Sequence, residues 1–373
     1  MSLQTQQFLR AHGLSALVDR FAVRATRHAR FPNLVMLKYS QINSPMHEPV
    51  VQECRGLILD EAEDWRVVSF PYRKFFNYGE PNATAIDWAT ARVYEKLDGS
   101  LMTLYPYRGE WHVASSGTPD AGGPVNASAL TFAELFWTTW KEAGYVLPPA
   151  PSRDDDASTC CFMFELMSPE NRIVVNHQRR RIVLHGARDL RTIRELEPVS
   201  VAERFAWQSV RSLPLGSIEA CLDACKALRP TECEGYVVCD AAFNRLKVKS
   251  PQYVALSLLK ENLSPRRMLE IVRANESDEF FAYFPELRPA YDEMRARFDR
   301  VCAEINSTFG SLRAIEPQKD FAAAATKTPY PAVLFALRSG KARTPQEFFA
   351  TATPTLLERL MGIGPDAPRD EER

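Results

Sequence analysis

No apolar run in the 373 residues approaches the ~18 that a membrane-spanning helix requires, so no membrane partner is expected. The opening MSLQTQQ lacks the basic-then-apolar layout of a secretory signal, which points to a cytoplasmic protein. A surplus of one charge is missing as well: 46 Lys and Arg against 47 Asp and Glu leave a net charge of −1. That balance excludes a globally basic nucleic-acid coat and leaves only local patches for polyanions, such as Gln178-Arg179-Arg180-Arg181 and Pro265-Arg266-Arg267. Cysteines at metal-site spacing are also absent. Cys160 and Cys161 are adjacent, Cys54 and Cys302 isolated, and Cys221, Cys225, Cys233 and Cys239 irregular, which argues for reduced, buried thiols over a zinc site. No internal repeat is found.

What is present is an ordinary globular composition, 45% hydrophobic and 25% charged, on a chain long enough for two domains. Residues 3–30 read as helical on Leu9, Leu14, Leu17, Val18 and Phe21. Short strands follow at Asn33–Tyr39, Gly56–Leu59 and Arg66–Phe70. Arg92-Val93-Tyr94-Glu95 runs into Lys96, and Ser100–Tyr105 leads away from it. Residues 129–145 read as a helix and Pro148–Ser158 as a loop. Strands resume at Cys161–Leu166 and Arg181–His185, with helices near 199–206 and 217–227. Gly235–Cys239 and Leu246–Lys249 form a β-hairpin. After Tyr253 the pattern turns helical. Ser264-Pro265 is an N-terminal signal, Leu287, Tyr291, Met294, Phe298, Val301 and Ile305 recur at spacings of four and three, and Thr344-Pro345-Gln346-Glu347 is a capping box. The fold class is therefore α+β: antiparallel sheets with flanking helices over residues 1–252, then an all-helical domain over 253–363. Residues 364–373 (GPDAPRDEER) form a disordered tail.

Glu95-Lys96-Leu97-Asp98-Gly99-Ser100 puts a lysine, an acid and a glycine at a strand–turn–strand junction. Lysine is a poor nucleophile while its ordinary pKa of ~10.4 keeps it protonated, so an attacking lysine needs nearby cations or burial. Lys247 and Lys249, two apart on a strand, project from one face and supply such cations. The same pair suits a phosphate that gains charge in a transition state. Glu234 stands at the entrance of an apolar strand, where its carboxylate can hold a divalent ion or receive the lysine proton. Taken singly, these residues read as a hairpin turn, a solvated strand face and a turn acid.

In order, Lys96-Leu97-Asp98-Gly99, Phe164-Glu165-Leu166, Arg181-Ile182-Val183-Leu184, Glu234-Gly235-Tyr236-Val237-Val238 and Lys247-Val248-Lys249 resemble the motifs of the covalent nucleotidyltransferases. Glu53-Cys54-Arg55-Gly56, Lys74-Phe75-Phe76-Asn77, Asn171-Arg172-Ile173-Val174 and Tyr253 narrow the resemblance to the phage-type RNA ligase 1 family, over about residues 33–280. The resemblance implies a nucleotidyltransferase domain in residues 1–252 and an ATP-dependent RNA ligase. Lys96 would carry AMP as a phosphoramidate, with Lys247, Lys249, Glu234 and Tyr253 sharing the chemistry. Glu165 would bind the ribose hydroxyls, its acceptor-only carboxylate suiting a diol. Arg55, Lys74 and Tyr39 would orient the triphosphate, Phe76 would pack the pocket, and Glu95 and Gly99 would flank the nucleotide with the lysine. Magnesium or manganese would neutralise charge, held by Glu234 and by Asp278, which has Glu276 and Glu279 alongside. Arg266, Arg267 and Arg273 of the helical domain would touch RNA.

Two departures stand out. Ser116 occupies the place of a basic residue that precedes Gly117 in the family, so either another cation, Arg108 for instance, compensates or the triphosphate or RNA end binds more weakly. The adenine-stacking aromatic of the superfamily is absent between Arg181 and His185, leaving Val183. The expected partners are RNA with 5′-phosphate and 3′-hydroxyl ends, nicked tRNA among them, and a separate end-healing kinase-phosphatase. A DNA ligase or capping guanylyltransferase would place a β-barrel after the last motif, where this chain reads as helices. A non-catalytic nucleotide or RNA-end binder is favoured only by Ser116.

Overall fold

The computed structural model describes residues 2–41, 43–125, 128–149, 159–229, 233–254, 265–275, 281 and 287–363. The chain divides into two compact units, Met1–Ser40 with Ser44–Leu256, and Gln41–Asn43 with Ser257–Arg373.

The larger unit carries three sheets. The first orders β1 (Val23–Arg27), β2 (Leu34–Tyr39), β3 (Arg55–Asp60) and β4 (Arg66–Ser69) as an antiparallel meander. The second contains β7 (Ser100–Tyr107), β8 (Glu110–Ser115), β9 (Cys160–Met167), β10 (Arg181–Asp189) and β11 (Glu195–Leu196), in the order β11-β10-β9-β7-β8. The third contains β5 (Phe76–Asn77), β6 (Arg92–Lys96), β12 (Ser212–Leu213), β13 (Gly235–Cys239) and β14 (Arg245–Lys249), in the order β12-β6-β13-β14-β5, with only β14 and β5 parallel.

Alternation along the strands decides which faces are buried. Val93, Tyr236, Val238, Leu246 and Val248 leave one face of the third sheet and pack on Cys221 and Cys225 of the helix Ile218–Ala227. The opposite face is polar and open. The second sheet packs Phe162, Phe164 and Leu184 against Leu135, Phe136 and Trp140 of the helix Phe132–Glu142. That helix starts at a capping box in which Glu134 N–H donates to Thr131 Oγ1 at 3.2 Å and Thr131 N–H donates to Glu134 Oε2 at 2.8 Å. All eight cysteines are buried and free.

The helix expected over residues 3–30 is shorter: it spans Gln4–Phe21, and Val23–Arg27 is a strand. Ala22 caps the helix in the left-handed region at φ 52°, and the following Val-Arg-Ala-Thr-Arg pairs in full with β2. Tertiary pairing overrides the local helical reading there. In the second unit the helix Arg288–Leu312 buries Tyr291, Met294, Phe298, Val301 and Ile305, five of the six residues of the expected spacing, while Leu287 is its N-cap. Thr344 Oγ1 caps the helix Pro345–Thr351, accepting from Glu347 N–H at 3.1 Å. Described residues beyond Val254 are helical or loop, with no strand among them. The tail 364–373 lies outside the described residues. Among the described residues no helix is long and apolar enough to cross a membrane.

Candidate active site

The open face of the third sheet floors a cavity of about 410 Å³, within the ~300–1,000 Å³ usual for small-molecule sites. Strand register fixes which side chains point into it. Lys96, Gly235 and Lys249 form one row across β6, β13 and β14; Tyr94, Val237 and Lys247 form the next; Arg92, Cys239 and Arg245 form the third. Because side chains alternate, all three rows face the same way, and every member except Gly235 lines the cavity. Gly235 has no side chain for a reason. A Cβ there would meet the Val248 carbonyl at 2.2 Å, so only glycine lets β14 lie this close to β13 beside Lys96.

Glu234 precedes Gly235 and is buried between two ammonium groups. Its Oε2 pairs with Lys96 Nζ, and its Oε1 lies 3.2 Å from Lys249 Nζ. Its backbone is fixed on both sides: Glu234 N–H donates to Lys96 O at 2.9 Å, and Ser250 N–H donates to Glu234 O at 2.9 Å. Burial pushes the carboxyl up, but Lys96 and Lys249 outweigh it together and hold it down at about 2. Lys247 is the amine with the depressed pKa. Burial first, then Lys74, Lys249, Arg55 and Lys96, lower it to about 7.

The opposite wall comes from the second sheet through Leu101, Glu165 and His185. Tyr72 stacks on His185 at 5.7 Å, donates to the His185 carbonyl at 2.9 Å and lies 3.0 Å from Nδ1. On the other side of the ring, His185 Nε2 faces Glu165 Oε2 at 3.4 Å. A bulge at Leu184 and Gly186 makes room, because a Cβ on Gly186 would meet the Tyr72 hydroxyl at 1.9 Å. Behind this wall Arg188 and Arg245 both pair with Glu195, at 2.7 and 2.5 Å, tying β10 and β11 to β14.

The motif residues Asp98 and Gly99 do structural work. Asp98 is buried and accepts Val174 N–H at 2.9 Å, Val175 N–H at 2.6 Å and the Tyr253 hydroxyl at 2.7 Å. A Cβ on Gly99 would lie 2.5 Å from the Leu166 carbonyl, so β7 approaches β9 only with glycine here. Gly99→Ala is expected to destabilise the fold by about 1–3 kcal/mol, read from urea unfolding; an unchanged midpoint would show that the turn relaxes freely.

Of the expected site residues, Arg55, Glu95, Lys96, Glu165, Glu234, Lys247 and Lys249 border one cavity. Glu53 places Arg55: buried, it accepts Thr5 N–H at 2.8 Å at the start of the first helix and pairs with Arg73 at 2.8 Å. Lys74 lies outside the lining, its ammonium between the rings of Tyr39 and Phe76 at 5.3 and 5.4 Å. Glu95 is held at the sheet edge by Arg211 N–H at 2.9 Å. Four readings change. Phe76 turns into the core while Phe75 faces the cavity, with Arg55 and Lys247 over its ring at 5.1 and 5.2 Å. Val183 is fully buried beneath Tyr94, Val210 and Cys239 and touches no open space. Tyr253 binds Asp98 and packs on Val174 and Val175 instead of lining the cavity. Arg108 sits at the far β7–β8 turn over Phe31 and Tyr107, so it does not serve the Ser116 position.

In the second unit Arg273 is a brace: it pairs with Glu270 at 2.5 Å and donates to the Ala352 carbonyl at 3.1 Å. Arg266 pairs with Glu358 at 3.3 Å. Asp278, with Glu276 and Glu279, and the Arg267 side chain lie outside the described residues. Tyr72, Phe75, Tyr94, His185, Phe243 and Arg245 were not singled out from sequence. The period-2 pattern Arg92-x-Tyr94-x-Lys96 and Arg245-x-Lys247-x-Lys249 was the available signal for two of them, Tyr94 and Arg245.

A divalent ion fits this site only as the companion of a phosphate ligand. Among the described residues no three His, Cys, Asp or Glu side chains converge, and both Glu234 oxygens are engaged by lysines. Phosphate oxygens and water would supply the remaining ligands.

An RNA ligase family model matches residues 53–253. A protein of Autographa californica nuclear polyhedrosis virus, provisionally named a bifunctional polynucleotide kinase/RNA ligase, is 28% identical over 300 residues, covering 77% of this chain and 42% of the relative. This chain thus spans less than half of that relative's length. An RNA ligase of Rhodothermus phage RM378 is 26% identical over 324 residues, covering 68% of this chain and 73% of the relative. An archaeal ATP-dependent RNA ligase structure aligns with a TM-score of 0.46 at 14% identity, over 73% of this chain and 68% of that one.

Proposed function

The chain belongs to the RNA ligase family, and we propose that it seals RNA 5′-phosphate and 3′-hydroxyl ends with ATP through an AMP carried on Lys96. The observation that supports this most is the shared face: Lys96, Lys247 and Lys249 project from adjacent rows into the cavity that also holds Arg55 and Glu165.

In the first step Lys96 Nζ bonds to the α-phosphorus, the bond to the β-phosphate oxygen breaks, and pyrophosphate leaves. Lys96 must first shed a proton. Glu234 is a poor acceptor while Lys96 and Lys249 both stabilise its charge. Incoming phosphates draw Lys249 and Lys247 toward themselves, which weakens that stabilisation and makes the carboxylate more basic. Both lysines then face the charge that builds on phosphorus. Glu165, with His185 beside it, accepts from the ribose hydroxyls. AMP passes next to the RNA 5′-phosphate, and attack by a 3′-hydroxyl releases AMP. Magnesium or manganese, delivered with the triphosphate, would neutralise the leaving group. Nicked tRNA and a separate end-healing kinase-phosphatase remain the proposed substrate and partner, and residues 253–363 the proposed substrate-selecting domain. Labelled ATP with 5′-phosphorylated RNAs, nicked anticodon loops included, tests the reading: joining of DNA alone, or label from GTP alone, would overturn it.

A proton count tests the cation cluster separately. At pH 8 most Lys247 side chains are neutral in the free chain, since the group titrates at about 7. A bound phosphate favours the ammonium, so nucleotide binding takes up a proton and weakens as pH rises above 7. Calorimetry in buffers of different ionisation enthalpy should show about one proton more taken up by wild type than by Lys247→Met. Equal uptake by the two would remove Lys247 from the phosphate site.

A further inference from the structure

From the cavity outward, the first sheet carries three cations in one cross-strand row. Arg24 on β1 lies opposite Lys38 on β2, and Lys38 lies opposite Arg55 on β3. Like charges facing each other across a sheet are destabilising, so such a row calls for a counter-charge. The described residues do not supply one. Arg24 donates to the Gly117 carbonyl at 3.0 Å and Arg55 lies over Tyr72 and Phe75, but among the described residues no carboxylate pairs with any of the three. Arg55 Nη1 is buried without a hydrogen-bond partner.

The row has a direction. Arg55 lines the cavity, Lys38 is half-buried, and Arg24 is exposed. Lys38 shares its face with Leu34 and Met36, which pack on Tyr105, Ala114 and Met163 of the second sheet. The row thus follows the seam between two sheets, out to the exposed Ser116 at the end of β8. A bulge at Gly56, φ +84°, brings Arg55 opposite Lys38 instead of one residue out of step. Strands are ~4.8 Å apart, so the charges advance in even steps that successive phosphates of a flexible single strand can follow.

We propose that Arg55, Lys38 and Arg24 form a phosphate track from the nucleotide cavity to the surface, which holds the 5′-phosphate end of the RNA to be sealed. This rests on the ligase reading for the identity of the ligand. The triphosphate already has Lys96, Lys247 and Lys249 in the cavity lining, which neither Lys38 nor Arg24 joins. Burial, with Arg24 and Arg55 on either side, pushes Lys38 down to about 8, a repulsion that a bound polyanion relieves.

Equilibrium binding of the full chain to a 5′-phosphorylated single-stranded oligoribonucleotide tests the track without requiring catalysis. Anisotropy is followed against salt, with the 5′-hydroxyl oligonucleotide alongside. Lys38→Gln with Arg24→Gln should weaken binding about tenfold or more and flatten the salt slope by about 1.4, ~0.7 per cation lost. Lys38→Arg with Arg24→Lys should keep both. Unchanged affinity and slope in the Gln pair, or equal loss in the charge-preserving pair, would overturn the proposal. So would weakened competition by pyrophosphate with intact RNA binding, which would give the track to the nucleotide tail. Failure of the wild type to form an AMP adduct would sink the ligase reading instead, leaving the binding result to stand.

Discussion

Lys96→Ala should eliminate the protein–AMP adduct, a fall on the order of 10⁴-fold or more in the rate of adenylylation. Intact mass after incubation with ATP reads it directly. The argument is geometric. Lys247 and Lys249 occupy their own positions in the sheet, and strand register keeps each amine there. Neither can move into the Lys96 place at the end of β6 without breaking the ladder. Lys96→Arg should be equally inactive, because a guanidinium keeps the charge but not a usable lone pair. The variant should fold, since Glu234 retains Lys249 as its partner. Lys247, depressed to about 7, is uncharged more often than an ordinary lysine. An adduct that persisted in Lys96→Ala and mapped to Lys247 would move the nucleophile there.

The parts of this site that could be read from sequence are those with a local signature. Lys96, Glu165, Lys247 and Lys249 each sit in strands whose alternation forecasts which way they point, Glu234 directly precedes one, and all five border the cavity. The parts that could not be read depend on pairing between distant segments. Phe75 and Phe76 are adjacent aromatics, and only the two-residue pairing of β5 with β14 decides which faces the ligand. Val183 was read as a stacking residue from its place in a motif, yet the next layer of the cavity wall covers it. Tyr253 and Asp98 are 155 positions apart and find each other only in the fold. The first helix fails as a prediction for the same reason: Val23–Arg27 becomes a strand because β2 is there to pair with it.

Glu234→Gln should produce the second largest effect, and it separates folding from chemistry. The amide keeps the shape but removes the carboxylate that pairs with both Lys96 and Lys249. Stripping one partner from a buried ion pair costs about 3–5 kcal/mol, because the remaining charges stay desolvated. The sign against pH follows from the carboxyl, held at about 2 in the fold against an ordinary value of 4.5. Its contribution is full above pH 4.5 and is lost as pH falls toward 2, so the gap between wild type and variant in urea unfolding should close over that interval. Adenylylation should also fall by about 10²–10³-fold, since Lys96 loses both its anchor and its proton acceptor. Lys249→Met tests whether the two losses are one: with a shared ion pair, the double variant should be less impaired than the sum of the singles. Stability within ~0.5 kcal/mol of wild type and undiminished adenylylation in Glu234→Gln would make the carboxylate a bystander. The proton of Lys96 would then have to leave by another route, for which Lys247, depressed to about 7 in the same cavity, is the candidate acceptor.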